Sequence, residues 1–157
     1  MAVIDSKLEI WDATTITGAA ENMRSVQIAS NNAIDLGTFT DGWDNSITGN
    51  VGRNGRLWLN VHSATTFAAA SWGPPICMIQ VWSHTATPPT SGTLIAEFPM
   101  NSIATAGTCV VNAPIPGTQT KRYLGLAVRL TSTTITAGAL DAWISLDAET
   151  PLPSEDV

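Results

Sequence analysis

From position 140 to 147 the chain alternates with a period of two. Leu140, Ala142, Ile144 and Leu146 fall on one side, and Asp141, Trp143, Ser145 and Asp147 on the other. A helix would scatter these residues around its circumference, whereas a strand points successive side chains to opposite faces. A second segment repeats the pattern, with Leu57, Leu59 and Val61 against Trp58, Asn60 and His62. Such segments belong to a sheet with one dry side. Further runs rich in β-branched and aromatic residues are separated by Gly, Pro, Asn and Asp clusters. They predict strands at 26–30, 34–36, 56–63, 76–84, 94–99, 108–112, 123–131 and 140–147. Asp41-Gly42 and Asn54-Gly55 are pairs suited to hairpin turns. Thr, Ser, Gly, Pro and Val are abundant and form poor helix interiors. The expectation is an all-β fold, an antiparallel β-sandwich of the jelly-roll type. Its parts would be an N-terminal arm or edge strand over 1–20, the sandwich over 21–147 and an acidic C-terminal tail over 148–157.

Charge is unevenly placed. Between Leu57 and Thr120 the only Asp, Glu, Lys or Arg is Glu97, and every charge after Arg129 is acidic. That long neutral stretch cannot all be core, so much of it is surface that is polar without being charged. Solvated surfaces use Lys and Glu, and the centres of protein interfaces are depleted in them. The stretch therefore predicts contact with other protein. A net charge of −6, with seven basic residues in no dense run, disfavours nucleic acid, whose binders need a basic face. No apolar run is long enough to span a membrane, and the first ten residues lack the apolar core of a signal peptide.

Residues that could carry chemistry are few. His62 and His84 are the two histidines, and neither a Cys/His ligand spacing nor a histidine cluster is present. Cys77 and His84 lie an odd number of residues apart in one predicted strand and so on opposite faces, poorly placed as a nucleophile and base. No nucleophile elbow, phosphate loop or dinucleotide fingerprint occurs. The acidic turn at Asp41 and Asp44 lacks the closing glutamate of an EF-hand, since position 52 is glycine. The expectation is no catalysis, no cofactor and no metal. Cys77 and Cys109 are either two buried thiols or a bridge. The six tryptophans (Trp11, Trp43, Trp58, Trp72, Trp82 and Trp143) are either packing residues, interface anchors or platforms for sugar rings.

Three segments resemble the capsid cement, or decoration, proteins of tailed bacteriophages, of the Bordetella-phage type. Residues 5–13 (DSKLEIWDA) resemble that family's acidic-flanked apolar start. Residues 31–37 (NNAIDLG) resemble its N-x-I-D-L-G element. Lys121-Arg122-Tyr123-Leu124-Gly125-Leu126 and the later Thr136-Ala137-Gly138-Ala139-Leu140 resemble its closing strands. The resemblance runs in order along nearly the whole chain, although the acidic tail and the 41–49 loop have no counterpart in it. It implies a jelly roll without cofactor, made in a bacterial host's cytoplasm and carried on the outside of a virion head. It also implies a homo-oligomer, dimer or trimer, that bridges subunits of a major capsid protein. On this reading Leu8, Ile10 and Trp11 of the arm, with Ile34, Asp35 and Leu36, are expected to touch a partner. Arg53, Arg56, Lys121 and Arg122 are expected to pair with acids on a neighbour. The competing expectations are a carbohydrate-binding module and an enzyme centred on Cys109 or His84.

Overall fold

The computed structural model describes residues 9–17, 33–36, 38–40, 46–48, 57–69, 75–85, 92–101, 104–116, 121–130 and 134–145. Among them every regular element is a strand. In chain order these are β1 (Glu9–Thr15), β2 (Ile34–Asp35), β3 (Thr38–Thr40), β4 (Ser46–Thr48), β5 (Trp58–Ala69), β6 (Cys77–His84), β7 (Gly92–Met100), β8 (Cys109–Pro114), β9 (Tyr123–Leu130) and β10 (Ile135–Ser145). Eight of them form two four-stranded antiparallel sheets, ordered β1-β10-β5-β8 and β2-β9-β6-β7. We call these the first and second sheets. β3 and β4 make a separate two-stranded pair in which Phe39 opposes Ile47, and the Asp41-Gly42 turn expected from the sequence lies outside the described residues. The chain is thus a β-sandwich, as the alternation predicts.

The core lies between the sheets. Leu59 and Val61 of β5, with Leu140, Ala142 and Ile144 of β10, face inward from the first sheet. Ile79 and Val81 of β6, with Leu124, Leu126 and Val128 of β9, meet them from the second. Burying a side chain of this size contributes about 1.5–3 kcal/mol. The ladder joining β5 to β10 runs from Trp58–Ser145 to Ala69–Ile135 and is broken by three register shifts toward its Ile135 end. Gly138 lies among these shifts with φ +149, and a Cβ there would come within 2.6 Å of the Phe67 ring. The backbone must pass that close because Phe67 is buried beneath it.

Three features differ from the sequence reading. β5 continues past position 63 through Ala64, Thr65 and Thr66, which carry no apolar alternation, because β10 supplies a partner along that length. β10 begins at Ile135, since bulges carry the pairing through Gly138. The face of the first sheet that holds Asn60 and Trp143 is drier than its polar residues suggest, and Asn60 is fully buried. Its Nδ2 donates to Ser145 Oγ at 2.8 Å, which offsets part of the desolvation cost. Of the two alternatives for the cysteines the structure holds the free thiols, Cys77 buried and Cys109 half-buried. The predicted strand at 26–30, the Asn54-Gly55 turn and the acidic tail lie outside the described residues.

The Gly138–Phe67 approach gives a direct test. Gly138→Ala should lower unfolding stability by roughly 2–4 kcal/mol, through overpacking and a left-handed φ that alanine adopts poorly. Chemical denaturation measures it, and a change below about 0.5 kcal/mol would mean that Phe67 moves aside freely.

Candidate functional site

The residues expected to contact a partner divide sharply. Ile10 and Trp11 belong to β1, the edge strand that closes the first sheet against β10, and they are 1% and 0% exposed. A core position leaves them no surface for a neighbour, which corrects the expectation of an anchoring arm. Ile34 is likewise buried, and Leu36 packs against the core. Leu8, Arg53 and Arg56 lie outside the described residues.

The remaining members meet one another. β2 pairs with β9 so that Ile34 opposes Leu124 and Asp35 opposes Tyr123. Asp35 then accepts two hydrogen bonds from Arg122, at 2.7 Å from Nε and 2.6 Å from Nη2. The guanidinium also sits 5.0 Å from the centre of the Tyr123 ring. The two sequence elements are therefore halves of one corner, joined by a planar two-point pair. Both side chains are more than two-fifths exposed, so solvent screens the pair and it adds little stability. Its effect is to fix register. Lys121 stands half-buried beside it.

Glu97, the lone charge of the neutral stretch, is tied down in the same way. Its Oε1 accepts from Gln80 Nε2 at 2.5 Å and from Arg129 Nε at 3.3 Å. Gln80 Oε1 in turn accepts from the Trp82 indole at 3.1 Å. Placed on the fold, the neutral stretch supplies β5 and β8 to one side of the first sheet and β6 and β7 to one side of the second. β7 and β8 touch across the gap. The sandwich is thereby split lengthwise. Among the described residues one half carries Glu97 alone, and the half built on β1, β2, β9 and β10 carries all the other acidic and basic residues. Leu94 of β7, 39% exposed, is the one large hydrophobic side chain among the described residues that stands open.

A second feature lies on the outer face of the first sheet. Asp141, His62 and Cys109 oppose one another across β10, β5 and β8, where facing Cβ atoms are about 4.5–5.5 Å apart. Spacing in the sequence could not show this rung, because register depends on a bulge between Val61 and His62. The rung is not arranged as a relay. The Asp141 carboxylate accepts the Ala13 N–H at 2.6 Å, and the His62 ring packs on Trp143 at 4.9 Å and 37°. Ala13 itself has φ 42, a left-handed conformation, and its hydrogen bond to Asp141 helps hold that kink. Beside the rung is an open hollow of about 390 Å³ lined by Asp12, His62, Ser63, Gly107, Asp141 and Trp143. No group of three His, Cys, Asp or Glu among the described residues could hold a metal ion. None of the four described tryptophans is exposed: Trp11 and Trp143 are buried, and Trp58 and Trp82 half-buried.

The two thiols should behave differently. Burial pushes the Cys77 thiol up to about 12 from 9.0, while Cys109 is half-buried. A disulfide reagent at pH 8 should therefore modify Cys109 in the native protein and reach Cys77 only on unfolding. Labelling of Cys77 at the rate of Cys109 would contradict the placement. Above pH 9.0 the unfolded chain loses the Cys77 proton and the folded chain keeps it. This contribution to stability is thus complete below pH 9.0 and falls as pH rises toward 12. Denaturation of Cys77→Ser over that range, whose loss should be flatter, checks the sign.

No protein-family model matches the chain, and no curated protein matches it.

Proposed function

We propose that the chain is a capsid cement protein of a tailed bacteriophage. It would bind the outside of the expanded head and bridge subunits of the major capsid protein. The observation that carries this reading is the neutral half of the sandwich. Four strands from two sheets present a surface with one charge, and that charge is occupied by Gln80 and Arg129. Such a face loses little on desolvation when it meets protein, because no unpaired ion has to leave water. The resemblance at residues 5–13, 31–37 and 121–126 points the same way. The corner between β2 and β9 gives the last two segments a shared structural reason to be as they are.

The winding of the strands supports the jelly-roll form of the sandwich. With the β3–β4 pair set aside, eight strands run in the orders 1-10-5-8 and 2-9-6-7. The chain crosses between sheets at nearly every step, and only β6 and β7 are consecutive neighbours. Double-sheet folds of this kind recur in viral capsid proteins. The work of such a protein is thermodynamic. It binds the expanded shell in preference to the disassembled subunits and shifts the equilibrium by mass action. Homodimers or homotrimers would let one bound unit span more than one capsid subunit.

Co-sedimentation with expanded capsid shells tests the reading. The wild-type chain should pellet with shells in a saturable manner. Leu94→Glu, which places a charge on the neutral half, should weaken binding by about tenfold or more while leaving the fold intact by circular dichroism. No association at low salt and high protein concentration would overturn the proposal.

A further inference from the structure

The described ions are not balanced in the same way on the two sheets. In the second sheet, Asp35 is paired with Arg122 and Glu97 with Arg129. The three described cations, Lys121, Arg122 and Arg129, all lie on or next to β9 of that sheet. The first sheet has none. Its Asp12 and Asp141 both line the hollow, and no described cation pairs with either. Asp141 gives one oxygen, Oδ1, to the Ala13 N–H. The kink at Ala13 sits directly beside Asp12, so the strained turn of β1 borders the same opening.

The rest of the wall is two aromatic rings and three small residues, Ser63, Ala64 and Gly107. His62 and Trp143 form a tilted pair, and Gly107 stands on the opposite strand connection with φ +81 and open space where a Cβ would be. At about 390 Å³ the hollow falls at the small end of ligand sites, a size suited to one long side chain. Two carboxylates that no described cation neutralises, beside an indole, make a site for a cation with a flat face. A guanidinium meets each demand, since it binds carboxylates through a planar fork and packs on aromatic rings.

We infer that the hollow between Asp12, Asp141 and Trp143 is a receptor for an arginine side chain presented by a partner protein, a capsid subunit. The source of that arginine rests on the proposed function; the hollow's preference for a guanidinium does not. The hollow extends the contact beyond the neutral half, because it straddles β5 of that half and β1 and β10 of the charged one, where a salt-dependent ion pair can orient the bound partner.

Titration of the full chain with N-acetyl-arginine amide, followed by nuclear magnetic resonance, tests the receptor. Saturable shifts are expected at the Trp143 indole N–H and the His62 ring, with the uncharged citrulline analogue silent. Asp12→Asn should weaken the response by about fivefold. Asp12→Asn with Asp141→Asn should weaken it by tenfold or more, and the asparagine at 141 can still accept the Ala13 N–H. Equal shifts with the citrulline analogue, or none with the arginine probe, would overturn the receptor. The double variant is then compared with wild type in shell co-sedimentation. A tenfold loss supports a capsid subunit as the source. Unchanged pelleting, or no pelleting of the wild type, overturns that source. In the second case the proposed function falls as well, while the small-molecule titration decides the receptor independently.

Discussion

The pairing of β5 with β10 is the contact on which the rest of the sandwich rests. It forms the middle of the first sheet, so β1 and β8 can join only by attaching to its two sides. Its inward residues bring Leu59, Val61, Phe67, Leu140, Ala142 and Ile144 to the core, and its outward residues set Asp141 beside His62 and Trp143 beside Asn60. The pairing is regular where the core is deepest and irregular near Phe67. There Gly138 removes the side chain that would otherwise collide with the Phe67 ring of the neighbouring strand. A protein interior packs with few voids, so the missing Cβ at Gly138 leaves the space that the Phe67 ring fills while the ladder runs on to Ile135 and Ala69.

Much of the architecture can be read from the sequence, for a physical reason. A strand with one dry face writes its orientation into every second residue, and Leu57–Val61 and Leu140–Ile144 do so. What cannot be read in this way depends on partners. β5 extends through Ala64, Thr65 and Thr66 because β10 lies beside it, and local composition there favours nothing. Trp11 illustrates the same limit. An apolar residue in a short segment near a chain end suits an arm lying on a neighbour and an edge strand lying on its own core equally well. Only the position of β10 decides between them. The hollow was invisible for a related reason: Asp12, His62 and Asp141 come from three strands, and their meeting is a matter of register.

The lengthwise division of charge was half legible. The sequence shows one neutral stretch, and the strand order decides whether it is scattered or gathered. Because β5 with β8 and β6 with β7 occupy matching sides of the two sheets, it is gathered. The same order gathers the described ions other than Glu97 on the other half, where Asp35 of the second sheet pairs with Arg122 while Asp12 and Asp141 of the first pair with no described cation. A sandwich built this way has two kinds of surface for two kinds of contact. One is broad and indifferent to salt, and the other is local and sensitive to it.

The first sheet places β1 against β10, so the earliest described strand is hydrogen-bonded to the last. During synthesis β1 and β5 must wait, with their shared neighbour still unmade, until almost the whole sandwich has left the ribosome. Non-local closure of this sort is slow compared with local pairing. Until it occurs the chain holds two unpaired strand edges open to other nascent copies. The middle of the first sheet therefore closes only once β10 has been made, and until then identical chains that meet can pair along the edges that β10 will cover.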